Sequence, residues 1–189
     1  MAQSAVLAHV RRFFAGHRVD VREPPDARVH DRIPGFSIAA VAPGPVIGKH
    51  VYVSIGCWDA VHDADHGLEF ILVAPDATPR HPLLMTIAAY YHANPNDADF
   101  RLDVGHTVPI GEPWSPGSAC DHLLVSLPYP FGRELEICAW DGGHARLLWL
   151  LPITAAERDF RTANGLEALE QRFDDAALQY WDIERASVV

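Results

Sequence analysis

The sequence predicts a single α+β domain in which a twisted, largely antiparallel or mixed β-sheet is packed by helices. Its 189 residues are the length of one domain, with no repeat or linker that divides them. Short apolar segments bounded by turn residues are typical of strands, and amphipathic helical patterns occur near both ends and once in the middle. We therefore interpret residues 1–189 as one unit, with an N-terminal helix and irregular connection over 1–35 and a sheet-and-helix core over 36–189.

The first half of the chain predicts a helix, three strands and a second helix. Apolar residues from Ala2 to about Gly16 recur at three- and four-residue spacing, which is typical of an amphipathic helix. The proline- and charge-bearing segment Val21–Pro34 predicts an irregular connection, and the polar segment Asp59–Gly67 predicts a loop. Strands are predicted at Phe36–Val41, Val51–Ile55 and Leu68–Val73, and the second helix contains Leu83–Tyr91 and ends at Asn94-Pro95.

The second half is richer in strands. Its strands are predicted at His106–Ile110, His122–Leu127, Leu135–Trp140 and His144–Leu151, the last two joined by a hairpin at Asp141-Gly142-Gly143. The consecutive apolar residues Leu147–Leu151 favour a central strand covered on both faces. Thr154 and Glu157 form the pattern of a capping box that opens a helix, Asn164-Gly165 ends it, and Leu166–Phe173 predicts one more short helix.

The charge balance narrows the class of partner. Lys and Arg number 15 against 25 Asp and Glu, a formal net charge of -10. Such a surface repels phosphate groups, so we expect neither a nucleic acid nor a membrane as partner, and a basic protein is the electrostatic match. The alternative is that the negative charge only keeps the protein soluble.

Cysteine usage and the absence of long apolar runs indicate a reducing compartment. The three cysteines are far apart and form no CxxC pair, so neither a disulfide framework nor a thiolate zinc site is expected. Arg11 and Arg12 interrupt the N-terminal pattern, which is not that of a signal peptide. The strongest apolar run, Leu147–Leu151, is far too short to span a bilayer. We expect a cytoplasmic protein.

The segment His62-Asp63-Ala64-Asp65-His66 has the highest density of metal-ligating residues. Two imidazoles and two carboxylates are suitable ligands for a divalent transition metal. However, a loop provides no helical face that would align His62 with His66. We interpret the segment as a solvated acidic loop and expect no bound metal or other cofactor. A metal-dependent activity at His62 and His66 is kept as a further functional hypothesis, after protein binding and a cysteine-dependent hydrolase, which are described below.

Cys120, Asp121 and His122, with His106 nearby, suggest a cysteine-dependent hydrolase as the alternative function. Alternation along a strand predicts that Cys120 and His122 share one face and that Asp121 points to the other. No nucleophile elbow, phosphate-binding loop or dinucleotide glycine pattern accompanies them. We therefore predict a structural role for all four residues and a protein that is not an enzyme.

Trp114 lies in the predicted loop Gly111–Ser118, between Pro113 and Pro116. An exposed tryptophan there would anchor a partner, whereas a tryptophan folded under its loop would cover the core. The sequence leaves both open.

Several stretches together resemble the bacterial branch of the Suppressor of fused domain family, over about His50 to the C-terminus. The similar stretches are GHTVPIGEPW (105–114), PGS (116–118), CDHLL (120–124), LPYP (127–130), WLLPIT (149–154), ERDF (157–160) and NGLEALE (164–170). The resemblance implies a non-enzymatic domain that binds protein segments, and for bacterial members a role as immunity proteins that neutralise toxins. In the two-domain animal member a tyrosine and a following acidic residue touch the bound peptide; these positions are similar to Tyr52 and to Asp63 or Asp65. The chain resembles only the first of those two domains, so the two-domain peptide clamp is not implied.

These considerations predict where a partner binds. A basic, extended segment is expected to dock beside the strand Val51–Ile55, next to Tyr52 and the acidic residues Asp59, Asp63 and Asp65, with Trp114 as a further candidate contact. No lysine or arginine lies between Val51 and Arg80. The alternative is that Tyr52 packs in the core and the acidic loop serves only solubility.

Overall fold

The computed structural model describes residues 1–63, 66–95 and 101–189, except for the side chains of Asp63 and His66. The described residues contain nine strands: β1 (Val19–Arg22), β2 (Ser37–Val41), β3 (His50–Ile55), β4 (His62–Asp63), β5 (His66–Ala74), β6 (Thr107–Pro109), β7 (Cys120–Ser126), β8 (Ile137–Trp140) and β9 (Gly143–Thr154). The helices are α1 (Ala2–Phe13), α2 (Cys57–Ala60), α3 (Arg80–His92), α4 (Gly132–Glu136), α5 (Ala155–Asn164) and α6 (Leu166–Asp175), with one 3-10 turn at Ala27–Asp31.

One mixed sheet runs through the chain in the order β1-β2-β3-β5-β9-β7-β6, with β4 paired to β5 and β8 to β9. The central pair β5 and β9 is parallel, with His66 opposite His144 and Ile71 opposite Trp149. All other pairs are antiparallel. The predicted α+β class with a largely antiparallel, mixed sheet is confirmed. None of the described helices is long and apolar enough to cross a membrane.

Helices cover the sheet on both faces. On one face α3 contacts β3 and β5; on the other α1 contacts β3 and β9, and α5 contacts β7 and β9. The run Leu147–Leu151 shows the consequence: Leu147, Trp149 and Leu151 belong to one buried cluster and Leu148 and Leu150 to the other. The prediction of a central strand covered on both faces is confirmed, since alternate side chains of β9 enter different cores.

Three local predictions were wrong. The segment Val21–Pro34 is not irregular throughout, because it contains the end of edge strand β1 and the 3-10 turn. The segment Asp59–Gly67 contains the end of α2 and the short strand β4 rather than only a loop. The strand predicted from Leu135 begins only at Ile137, as β8. Leu135 itself lies in α4, whose first residue, Gly132, has a φ of +65°. In each case the element has at most five residues, too few for a periodic pattern to show.

The predicted ends of α5 are confirmed. Thr154 accepts a hydrogen bond from the backbone N–H of Glu157, and the Glu157 carboxylate accepts one from the backbone N–H of Thr154. Gly165 has a φ of +91° and separates α5 from α6. Capping thus fixes where β9 ends and α5 begins, and with it the position of Glu157 beneath the C-terminal segment.

Candidate functional site

His81 links two of the predicted binding residues, Tyr52 and Trp114. The indole Nε1 of Trp114 donates to His81 Nδ1 at 3.3 Å. Since Nδ1 accepts, the proton of a neutral ring lies on Nε2, which donates to Asp76 Oδ1 at 2.7 Å. The His81 ring centroid lies 5.8 Å from that of Tyr52 and 6.0 Å from that of Trp114. Burial lowers the pKa of His81, although Asp76 opposes this effect, so the neutral ring suits the site.

Local sequence places these groups. Asp76 follows β5, and Pro79 precedes Arg80, the first residue of α3, so that His81 lies in the first helical turn. The loop that carries Trp114 is held by its backbone, since Trp114 N–H donates to the Cys120 carbonyl at 2.8 Å. Arg80 donates to Glu112 Oε1 at 2.7 Å and to the carbonyls of Glu112 and Pro113 at 3.3 and 3.2 Å. The α3 N-terminus and the Trp114 loop are therefore fixed to each other.

Trp114 itself covers the core, with only 2% of its surface exposed. Around it lies a cavity of about 450 Å³, which we call the Trp114 cleft. Its lining comprises Asp76, Thr78, Arg80, His81, Glu112, Pro113, Trp114, Ser115, Pro116 and Ile183. The sequence left open whether Trp114 contacts a partner or covers the core. It covers the core, and Glu112, Pro113 and Pro116 of its loop form the accessible wall of the cleft.

The C-terminal segment forms the remaining wall of the Trp114 cleft through Ile183. The Ser118 hydroxyl donates to the Ile183 carbonyl and accepts from the Cys120 N–H. Two residues further, Arg185 donates to both oxygens of the buried Glu157 at 2.6 and 2.8 Å and to the Pro152 carbonyl at 2.9 Å. The wall is thus tied to the sheet by a buried ion pair, so the cleft is largely preformed.

Tyr52 is 2% exposed and lies on an interior strand. β3 pairs with β2 on one side, where Tyr52 faces Ala40, and with β5 on the other, where it faces Leu72. The predicted addition of a partner strand beside Val51–Ile55 is wrong, because both edges of β3 already have hydrogen-bonded neighbours along Tyr52. Burial is also the main cause of the raised pKa of the Tyr52 hydroxyl.

Two of the predicted acidic residues, Asp59 and Asp63, lie at the other end of the sheet. Asp59 is exposed on α2, and β4, which includes Asp63, pairs with the start of β5. The nine residues of β5 place its two ends roughly 26 Å apart. The Trp114 cleft lies beyond the far end of this strand. The side chain of Asp63 and all of Asp65 lie outside the described residues. The structure therefore brings Tyr52 and Trp114 together but separates them from Asp59.

His62 stacks on Trp58 rather than standing free in a loop. The two rings are 4.0 Å apart and nearly parallel, at 4°, and His62 Nδ1 lies 2.8 Å from the Trp58 carbonyl. Trp58 Nε1 in turn donates to the His144 carbonyl at 2.8 Å. Within the described part of the chain no group of three or more His, Cys, Asp or Glu residues is placed to hold a metal ion. Asp65 and the side chains of Asp63 and His66 are not among the described positions.

The arrangement around Cys120 differs from the predicted alternation. A β-bulge interrupts the pairing of β7 with β9 between Cys120 and His122. Cys120 and Leu123 therefore share one buried cluster, which places His122 towards the opposite face, where Asp121 Oδ1 lies 2.8 Å from His122 Nδ1. The expectation that Cys120 and His122 share a face was wrong because the bulge shifts the alternation by one residue. His106 is exposed, and its carbonyl accepts from Val125, away from Cys120.

Glu69 is a site that the sequence reading missed. Its carboxylate is 1% exposed, and it accepts from the Ser54 hydroxyl and from the backbone N–H groups of Gly56 at 2.8 Å and Trp58 at 3.2 Å. Burial raises its pKa to about 7, against these hydrogen bonds. The signal was present in the sequence: an acidic residue interrupts the apolar run Leu68–Val73, where no face is open to solvent. It anchors the β3–α2 junction that carries Trp58.

Together the fold and the Trp114 cleft define a class of protein: a mixed-sheet domain with a concave surface built from packed rings, prolines and carboxylates. The profile of the Suppressor of fused protein (SUFU) family matches residues 30–186. The chain belongs to the Suppressor of fused family, as its resemblance implied.

Solved structures agree with this membership. A SUFU homolog from Neisseria gonorrhoeae FA 1090 is 35% identical, with a TM-score of 0.79, and the match covers 100% of this chain and 97% of that chain. The crystal structure of the Sufu–Fu complex matches at a TM-score of 0.71 and 13% identity, over 99% and 92% of the two chains. Drosophila Suppressor of Fused matches at 0.69 and 13%, over 99% of this chain but 51% of that one. No curated protein matches significantly. The two 13% identical structures show a shared fold.

Proposed function

We propose that this protein is a non-enzymatic, cytoplasmic protein-binding domain that neutralises a toxin by binding a basic segment of it at the Trp114 cleft. The observation that carries the proposal is the convergence of Tyr52 and Trp114 on His81 and Asp76 beneath this cleft. Membership in the Suppressor of fused family supports a binding role, since one family structure is that of the Sufu–Fu complex.

The chemistry of the Trp114 cleft favours a basic polypeptide. The carboxylates of Asp76 and Glu112 have 61% and 70% of their side-chain surfaces exposed, so both are available to a partner. Arg80, the cation of the cleft, is already paired with Glu112. Pro113, Pro116 and Ile183 add apolar surface between the charges. An apolar floor with charged groups at its rim is the usual anatomy of a protein-recognition site.

Two polar atoms bordering the cleft favour a polypeptide partner with free carbonyl groups. Arg80 Nε and Ser115 Oγ are buried and have no hydrogen-bond partner among the described residues. A buried donor without a partner costs about 1–3 kcal/mol, which an incoming carbonyl would recover. Because the ion pairs and hydrogen bonds described above already fix the walls, little ordering is needed on binding.

Asp59, Asp63 and Asp65 are proposed to act at a distance. In the sequence they precede β5, whereas the Trp114 cleft lies beyond its end. With a net charge of -10 they add to a negative field that attracts a basic partner. Charges outside the contact surface mainly change the association rate and its dependence on salt. We assign them to steering rather than to the contact itself.

A cysteine-dependent hydrolase is not proposed. Burial raises the pKa of Cys57, Cys120 and Cys138, which is opposite to the lowered pKa that a nucleophilic thiolate needs. The β-bulge also separates Cys120 from His122, as described above.

We expect such a toxin to be encoded beside the gene for this protein, and the test uses its toxin domain. Co-expression of this protein should restore the growth of bacteria that produce the toxin domain. The double variant Asp76→Asn, Glu112→Gln should weaken both this protection and the binding of the toxin domain by roughly tenfold or more. The matched control is Glu134→Gln with Asp159→Asn, which removes the same charge from exposed sites elsewhere and should protect fully. Lack of protection by the natural protein, or equal protection by both double variants, would contradict the proposal.

A further inference from the structure

A second cavity, of about 300 Å³, opens on the other face of the sheet. We call it the Tyr129 cleft. It lies between the end of β7, the segment after it, and α6 with the segment that follows, and Leu151 contributes to it from β9. Its other lining residues are Ser126, Tyr129, Glu170, Phe173, Asp174 and Tyr180. Leu151 and Phe173 belong to the buried cluster opposite to that of Trp114, so the two clefts are separate.

Both charged groups in the lining of the Tyr129 cleft are acidic. Glu170 and Asp174 lie one helical turn apart on α6 and therefore on the same side of it. The Tyr129 hydroxyl donates to Glu170 Oε1 at 3.1 Å. No lysine or arginine lines the cleft among the described residues. The cleft thus presents two carboxylates without a protein cation between them.

Aromatic rings surround these carboxylates. Tyr129 is 54% exposed at the entrance. The Tyr180 ring lies 5.4 Å from that of Trp149 and 6.2 Å from that of Phe173, measured between centroids. Aromatic faces attract cations that carry organic substituents, because the ring quadrupole and the apolar surface act together.

A buried hydroxyl without a partner lies in the same lining. Ser126 is 0% exposed, and among the described residues its Oγ has no hydrogen-bond partner. The nearby Trp149 Nε1 is also buried and has no partner within the described part of the chain. A serine oxygen has two lone pairs, so it can accept from a ligand that brings N–H groups.

The pKa of each of the two tyrosines is raised, first by burial and then by the neighbouring carboxylates. Burial and the Glu170 carboxylate raise the pKa of Tyr129 to about 12. Burial, with Asp174 and Glu170, raises the pKa of Tyr180. Arg185 lies 5.7 Å from the Phe173 ring, but its guanidinium is bound to Glu157 and to the Pro152 carbonyl and does not supply the missing charge.

We propose that the Tyr129 cleft binds an organic cation with N–H groups, either an alkylammonium or a guanidinium group. Glu170 and Asp174 would pair with the charge, Tyr129 and Tyr180 would contact the apolar substituent, and Ser126 would accept a hydrogen bond. The source is a lysine or arginine side chain of a polypeptide or a free amine. This inference does not depend on toxin binding at the Trp114 cleft, since the two sites share no residue.

The test is an NMR titration of the ¹⁵N-labelled full chain with four probes. These are the Nα-acetyl methylamides of lysine, arginine and norleucine, and the free diamine putrescine. We expect the cations to shift the amides of Ser126, Glu170 and Tyr180 with a dissociation constant on the order of a millimolar, and the neutral norleucine probe to give no saturable shift. Tighter binding of putrescine assigns the cleft to free amines, and tighter binding of the lysine or arginine probe assigns it to polypeptide side chains. Absence of a saturable shift with every cation, or equal binding of norleucine, overturns the proposal.

Charge variants make the assignment specific. Glu170→Gln and Asp174→Asn keep the shape of the cleft and should each weaken cation binding about threefold to fivefold. Asp159→Asn on α5 removes one negative charge outside the cleft and is the matched control, which should bind like the natural protein. Thermal unfolding should be the same for all three, since these side chains are at least partly exposed. Unchanged affinity in both cleft variants would also overturn the proposal.

Discussion

Arg185 and Glu157 form a buried, two-pronged ion pair between the C-terminal segment and α5. The guanidinium Nη1 and Nη2 lie 2.6 and 2.8 Å from the two carboxylate oxygens, and the side chains are 6% and 0% exposed. The Val188 N–H donates to the same carboxylate at 3.0 Å. Ile183, two residues before Arg185 in the sequence, lines the Trp114 cleft. The ion pair therefore connects the stability of the fold to the shape of the cleft.

Removing one partner of this pair should be costly. Glu157→Ala leaves the Arg185 charge buried without compensation, and we expect the free energy of unfolding to fall by about 3–5 kcal/mol. The measurement is urea unfolding. The control is Asp159→Ala, which breaks the exposed pair with Arg158 and should change stability by less than about 1 kcal/mol. A loss below about 1 kcal/mol for Glu157→Ala would mean that the C-terminal segment is not anchored here.

Glu69 and His92 should give opposite pH dependences of stability. The pKa of Glu69 rises from 4.5 to about 7 on folding, so the folded state binds the extra proton and the free energy of unfolding falls as pH rises through this window. Burial lowers the pKa of His92 from 6.5 to about 4, so the unfolded state binds the extra proton and the free energy of unfolding falls as pH drops through that window. Between pH 4.5 and 6.5 the two effects oppose each other.

Substituting Glu69 separates the two effects. In Glu69→Gln only the His92 contribution of the pair remains, so the free energy of unfolding should rise more steeply from about pH 4.5 to 6.5 than in the natural protein. Urea unfolding at several pH values measures this slope. A Glu69→Gln profile parallel to that of the natural protein would show that Glu69 does not retain its proton in the folded state.

Asp121 should contribute little to stability, contrary to the larger role that the sequence predicts for it. The backbone carbonyls of Cys120 and Asp121, rather than the Asp121 carboxylate, hold the Trp114 loop, accepting from Trp114 and Ile110 at 2.8 and 3.1 Å. The Asp121 side chain is 38% exposed and contacts His122. Asp121→Ala should therefore cost less than about 1 kcal/mol in thermal or urea unfolding. A loss of about 3 kcal/mol would restore the carboxylate as a structural anchor.

Cys120 should resist alkylation in the folded protein. It is 0% exposed, and burial raises the pKa of its thiol. Iodoacetamide near neutral pH should label it only at the rate of unfolding, and labelling should become fast in urea. Rapid, stoichiometric labelling of folded protein would revive the hydrolase alternative.

The elements that the sequence predicted correctly are those whose signals are local. The apolar run Leu147–Leu151 and the capping pair Thr154 and Glu157 each determine their structure within a few residues. The β-bulge after Cys120 was not predictable, because it depends on pairing with β9 and leaves no mark in the alternation. The groups that donate to Glu69 belong to Ser54, Gly56 and Trp58, which precede it by more than ten residues. The sequence therefore showed only that a charged residue interrupts an apolar run.

The candidate site was predictable in part for the same reason. Tyr52 and Trp114 were selected from a resemblance and from residue type, but their meeting at His81 requires β3, α3 and a distant loop to pack together. The distance between Tyr52 and the acidic segment near Asp59 follows from strand direction, which periodicity does not give. The Tyr129 cleft combines separate segments of the sequence between Ser126 and Tyr180 and had no local signal.

The measurement that tests the central claim most directly is hydrogen–deuterium exchange of the protein alone and bound to the toxin domain that the growth test identifies. We predict new protection at residues 76–81 and 112–116, which form the walls of the Trp114 cleft, and a loss of that complex in the Asp76→Asn, Glu112→Gln variant. Protection confined to other surfaces, with residues 76–81 and 112–116 exchanging as in the free protein, would contradict the assignment of partner binding to the Trp114 cleft.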